Sequence, residues 1–205
     1  MGDDRTTRRQ LLVGATGLGV GLVTAAVGDP EVGRQPRRTR PGESAALPDD
    51  DRPYALWQYR PTLRGNYART LPINLVSPLE AANLADVRAV FRGAGWSAWP
   101  SEKVRYAWNP ETAQYVTPQW TGAETRYGVG GRLHVRCWVL AGHLSIQAHV
   151  DTPPTPGHRI QSFEAARSAV EQLFAGAGWT VHPGRLAFDN EQAPDHDGSV
   201  TVLER

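Results

Sequence analysis

The chain has 205 residues, a formal net charge of +1 and a single cysteine, Cys137. One cysteine cannot close an internal disulfide, so stability has to come from packing. From residue 54 onward basic and acidic side chains nearly balance, 14 against 13, and they are scattered, which excludes the one-sided positive field that nucleic-acid binding uses.

The first segment carries an address. Thr7-Arg8-Arg9-Gln10-Leu11-Leu12 is followed by an uncharged apolar run to Val27 that contains Gly14, Gly17, Gly19 and Gly21. Paired arginines ahead of a weakly hydrophobic run are the pattern of a twin-arginine export signal, with Arg8 and Arg9 as the recognised pair. Residues 1–28 are therefore expected to be a signal peptide that engages the twin-arginine translocase. Ala26-Val27-Gly28 supplies small residues for cleavage, so the mature chain is expected in the cell envelope or outside the cell. The 17 residues of the run, 11 to 27, reach the short limit for a bilayer span, so an uncleaved leader would leave a membrane-anchored protein, touching the membrane through that leader alone. Removing residues 1–28, with three arginines and two aspartates, takes the net charge from +1 to zero.

Residues 29–53 hold five prolines, five arginines, six acidic residues and no aromatic residue, too little apolar surface to offset chain entropy, and they predict a disordered linker. All 17 aromatic residues lie at or after Tyr54, so residues 54–205 are read as one domain.

A repeat organises that domain. Phe91-Arg92-Gly93-Ala94-Gly95-Trp96-Ser97-Ala98-Trp99-Pro100 recurs 83 residues later as Phe174-Ala175-Gly176-Ala177-Gly178-Trp179-Thr180-Val181-His182-Pro183, with six identities in ten. Each copy ends a stretch of helical spacing: Leu84, Val87, Val90, Phe91 and Ala94, then Phe163, Ala166, Val170, Phe174 and Ala177. Asn83 and Ser162 are placed to cap the helix starts, and the glycine before each tryptophan suits the left-handed turn that stops a helix. Strands are predicted at Ile73–Ser77, around Ile146–Asp151, near Val104–Trp108, at Leu186–Phe188 and at Val200–Leu203. The expected fold is α+β: a two-layer domain with two helices on one face of a mainly antiparallel sheet, internally duplicated as a strand-helix-Gly-Trp-strand unit.

Arg132 to Asp151 alternates polar and apolar residues on both sides of Ala141-Gly142, the pattern of a hairpin. A two-residue loop pairs Leu140 with His143. Val139, Cys137, Val135 and Leu133 then lie opposite Leu144, Ile146, Ala148 and Val150, and the other face pairs Trp138 with Ser145, Arg136 with Gln147, His134 with His149 and Arg132 with Asp151. Opposed imidazoles at this spacing can share a proton or a metal, with Asp151 beside them and His158 returned by a proline-rich loop. The candidate binding residues are Arg132, His134, Arg136, His149, Asp151 and His158, and His134, His149 and His158 are candidate ligands for a divalent metal such as zinc. No cofactor is otherwise implied. The same polar side chains also suit the wet face of an open sheet. Cys137 falls on the apolar face, and Asp195-His196-Asp197-Gly198 is read as a turn.

Pro72-Ile73-Asn74-Leu75-Val76, Ala94-Gly95-Trp96, Arg132-Leu133-His134-Val135-Arg136-Cys137-Trp138 and Gly157-His158-Arg159-Ile160 together resemble the LssY-type C-terminal domain over about residues 70 to 182. The resemblance implies an envelope setting. The chain departs from that pattern where Arg159 stands in place of a second histidine, and it lacks the Pro-Ser-Gly-His element of a PAP2 phosphatase. With no Gly-x-Ser-x-Gly elbow, phosphate loop or dinucleotide fingerprint, the sequence reads as a non-catalytic exported domain. The polar hairpin face would bind an anionic or polar envelope partner. The alternative is a metal-assisted hydrolase using His134, His149, His158 and Asp151, with Arg136 holding substrate charge.

Overall fold

The structure is a computed structural model and describes residues 54–78, 83–99, 104–124, 131–140, 142–152 and 159–205. The export signal, the linker and His158 lie outside the described residues. The fold is α+β. In chain order the elements are β1 (Trp57–Pro61), β2 (Tyr67–Pro72), β3 (Leu75–Pro78), α1 (Leu84–Gly93), β4 (Ser97–Ala98), β5 (Tyr106–Asn109), β6 (Gln114–Val116), β7 (Trp120–Ala123), β8 (Arg132–Leu140), β9 (His143–Asp151), β10 (Ile160–Ser162), α2 (Glu164–Gly176), β11 (Thr180–Ala187) and β12 (Ser199–Glu204). Neither helix is long and apolar enough to cross a membrane.

The larger sheet runs β11-β12-β3-β9-β8-β7-β4, with β10 added beside β9. It is antiparallel except where β12 lies parallel to β3. At its centre β8 and β9 pair over nine positions, from Arg132 with Asp151 to Leu140 with His143, in the register that the alternation dictates. Leu133, Val135, Cys137, Leu144, Ile146, Ala148 and Val150 face the helices and join Val87 and Phe91 of α1 and Ala166, Val170 and Phe174 of α2 in one core. A one-residue slip would exchange this set for charged and polar side chains, which is why the register is fixed.

The helix starts are capped in different ways. Asn83 Oδ1 accepts from the backbone N–H groups of Ala85 and Asp86 at α1. At α2 Ser162 Oγ accepts from Ala165 N, while Asp195, 31 to 33 residues on, accepts from Ser162 Oγ, Phe163 N and Glu164 N. The helix ends are alike: Gly95 and Gly178 take φ of +80° and +82°, and Trp96 N and Trp179 N each donate to the carbonyl of the phenylalanine five residues back at 3.0 Å. Each indole then lies on that phenylalanine, and Phe91 and Phe174 meet each other at 5.5 Å between centroids. Between the helices is an apolar groove to which both copies of the repeat contribute equivalent positions, among them Val90 with Leu173 and Ala94 with Ala177.

The domain has a third layer where two were expected. A four-stranded sheet, β2-β1-β5-β6, covers the polar face of the β8–β9 hairpin, and Trp57, Tyr59 and Ala107 from it pack with Trp138, Leu140, Val76 and Val202 in a second core. The hairpin's polar face is therefore interior: Ser145 and Gln147 are fully buried, and His134 and His149 are 7% and 4% exposed. Alternation alone could not distinguish this from a wet face, because the covering strands bring polar partners of their own.

Candidate functional site

Asp151 ends β9 directly opposite Arg132, and its carboxylate stands between the two imidazoles of the hairpin. His149 Nε2 lies 3.3 Å from Asp151 Oδ1, and His134 Nε2 lies 3.2 Å from Oδ2, the latter without hydrogen-bond alignment. The rings are nearly parallel, 11° apart, with centroids separated by 5.4 Å. Burial, first, and then the neighbouring His149, Arg132 and Arg136 lower the His134 pKa to about 3, outweighing the pull of Asp151, so His134 is a neutral ring at physiological pH.

The chain of contacts continues along the same face. His149 Nδ1 meets Gln147 Oε1 at 3.0 Å, and Arg136 Nη1 donates to the same oxygen at 3.4 Å and to Gln58 Oε1 at 3.1 Å. A guanidinium can only donate, which fixes the Gln147 oxygen as an acceptor and makes His149 Nδ1 the donating nitrogen. The short approach of His149 Nε2 to the Asp151 carboxylate then needs a proton, or another cation, between them. Gln58 is held from below, since Thr70 Oγ1 accepts from its amide and donates to its backbone carbonyl, each at 2.9 Å.

Arg136 is the cation at the centre of this face. No carboxylate among the described residues lies within ion-pair distance of it, and its Nη1 is held by two neutral amides. Its Nε and the Nε2 of Gln147 are buried donors with no acceptor. Burial, and then the nearby Arg105 guanidinium, push the Arg136 pKa down to about 10, low for an arginine and still cationic at neutral pH. Arg105 is depressed in its turn by burial and by Arg60. Both arginines line a pocket of about 440 Å³ at one edge of the space between the sheets, walled by Trp99, Val104, Pro118, Trp120 and Thr121. Arg136 reaches it because Thr121 of β7 pairs with it across the sheet. On the other face of β7 the Trp120 ring lies across Gly122, where a Cβ would meet it at 2.2 Å, and packs on Phe91.

Of the residues singled out from sequence, Arg132, His134, Arg136, His149 and Asp151 share one interior face, while His158 lies outside the described residues. Arg132 stacks on Trp99, 3.9 Å from the ring centroid. Sequence reasoning missed Gln58, Trp99 and Arg105. The first arrives on a strand that the pattern did not reveal, and the others flank a stretch of sequence with no periodicity. Cys137 is a buried thiol whose pKa burial raises far above the ordinary range, as its place on the apolar face implies.

A second polar cluster lies at the start of α2, where Glu164, His196 and Asp197 bring ligand atoms within 4.8 Å of one another. Arg167 closes it, pairing with Glu164 and lying 3.6 Å from Asp197, while Nη1 donates to the Ser199 carbonyl at 2.8 Å. Buried His196 places Nδ1 3.3 Å from Glu164 and Nε2 3.0 Å from Asn190 Oδ1; Asn190 in turn donates to the carbonyls of Leu56 and Ile73. These contacts tie the last loop to α2 and to the start of the domain, so the turn read from Asp195-His196-Asp197-Gly198 is also a fastening. No family model, curated protein or solved structure matches the chain.

Proposed function

We propose that this chain is an exported binding domain that takes an anionic ligand in the pocket formed by Arg136 and Arg105. The observation that carries the reading is that two guanidiniums, Arg136 and Arg105, line one pocket with no carboxylate among the described residues at ion-pair distance. Burial and then Arg105 lower the Arg136 pKa, and Arg105 is depressed in its turn by burial and by Arg60. An anion in the pocket would offset the repulsion that Arg105 exerts on Arg136 and accept charged hydrogen bonds from the arginines. Export by the twin-arginine route, an envelope or extracellular location, kinship with the LssY-type domain and origin by duplication belong to the same reading. The duplication is supported by the matching helix ends and by the groove that equivalent positions line.

The test is calorimetric titration of the full chain with inorganic phosphate and with acetate, beside Arg136→Met and Arg105→Gln. Saturable binding that both substitutions weaken by about tenfold or more is expected, the scale of one charged hydrogen bond lost. Arg105 lies at the pocket rim, so its variant reports even if loss of Arg136 disturbs folding. Absence of binding to either anion would defeat the reading.

A second reading, a metal-assisted hydrolase, draws on the cation required between His149 Nε2 and Asp151. His149 and Asp151 would then hold the ion, with Gln147 receiving the Nδ1–H as an outer partner, and a bound metal would supply Lewis acidity. Stoichiometric zinc in the full chain, lost in His149→Ala, would favour it.

A further inference from the structure

We infer that the ligand of the Arg136–Arg105 pocket is an organic anion with a flat apolar body, an aromatic carboxylate or aryl phosphate in kind. The inference rests on the anion-binding reading and adds the chemistry of the rest of the molecule. Three observations lead to it.

The first is size. At about 440 Å³ the pocket lies in the range that organic ligands fill, about 300–1,000 Å³, and a bare acetate or phosphate would leave most of it to water. The second is the wall. Only three large apolar side chains among the described residues are exposed, and two of them, Trp99 at 43% and Val104 at 52%, line this pocket, with Ala98 and Pro118 beside them. Isolated exposed apolar residues need no explanation, but two on the rim of one cavity that also holds two cations make an apolar surface joined to an anion site.

The third is rigidity. The Arg132 guanidinium covers the Trp99 ring from outside the pocket, so the indole is held as a fixed wall rather than a mobile cover. A fixed indole near two guanidiniums suits a planar ring with a charged end, since aromatic rings meet in offset or edge arrangements and the charged end takes a guanidinium. A hydroxyl-rich sugar acid would find few side-chain partners. Gln119 is already spent on β8, accepting from Val139 N at 2.9 Å, which leaves chiefly the hydroxyls of Thr117 and Thr121.

The experiment compares benzoate with acetate, phenyl phosphate with inorganic phosphate, and glucuronate, each titrated into the full chain and into Trp99→Ala. Benzoate and phenyl phosphate are expected to bind about tenfold tighter than their bare counterparts, the gain from burying on the order of 60 Å² of apolar surface. Trp99→Ala should bring the ratio of affinities between ring-bearing and bare anions back toward one. Equal affinity for bare and ring-bearing anions, or preference for glucuronate, would overturn this inference while leaving the anion site standing. Failure of every anion to bind would end both.

Discussion

His134 makes folding stability depend on pH in a way that can be worked out. The ring is neutral and buried in the folded chain, with its pKa lowered from 6.5 to about 3. Because the unfolded chain takes up this proton first, the contribution of the neutral ring is complete above pH 6.5 and is lost as the pH falls from 6.5 toward 3. With those two values, going from pH 7.5 to 4.5 costs about 2.6 kcal/mol from this one group, with a limiting slope of about 1.4 kcal/mol per pH unit. The groups that set the value are His149, Asp151, Arg132 and Arg136, all on the same interior face. The assay is urea unfolding at constant ionic strength across that range, for the natural chain and for His134→Gln, which keeps a neutral polar side chain in place. The difference in unfolding free energy between the two proteins should change by about 2.6 kcal/mol from pH 7.5 to 4.5. Parallel curves would refute the reasoning, since they would mean that the folded protein accepts the proton on His134 as readily as the unfolded one, with Asp151 outweighing burial.

Two further substitutions test how the site and the helix are held. Gly131→Ala should destabilise the fold by at least about 2 kcal/mol in urea unfolding, because φ is +103° and a Cβ would sit 2.1 Å from the Asp151 carbonyl oxygen; an unchanged midpoint would show that the backbone there gives way easily. Asp195→Ala removes acceptors from Ser162 Oγ, Phe163 N and Glu164 N at once and should cost about 1 to 2 kcal/mol, with faster amide exchange over residues 163–166. Loss of stability without local exchange would point instead to the His196 fastening nearby.

The hairpin shows how far local pattern reaches. Nine cross-strand pairs follow from alternation and a two-residue loop, because a pleated strand sends side chains to opposite faces and a slip of one residue would bury charge. The helices follow from spacing, and Asn83 and the glycines before Trp96 and Trp179 mark helix ends, since capping is chemistry between near neighbours. Capping of α2 was legible only in part. Ser162 is local, but Asp195 reaches the same amides from across the chain.

What the sequence by itself determined is the α+β class, the faces of the hairpin, the burial of Cys137 and the sharing of one surface by His134, His149, Asp151 and Arg136. Each depends on neighbours within a strand, a helix turn or a hairpin. Tertiary structure alone decided whether that surface is wet or enclosed. Alternation reports which residues share a side and is silent on what covers it. The covering sheet brings Gln58 to Arg136 from 78 residues away and sets Arg105 near Trp99, which follows β4 of the larger sheet. Enclosure then removes water from His134 and Arg136, and that loss of solvation is the first cause of their lowered pKa values.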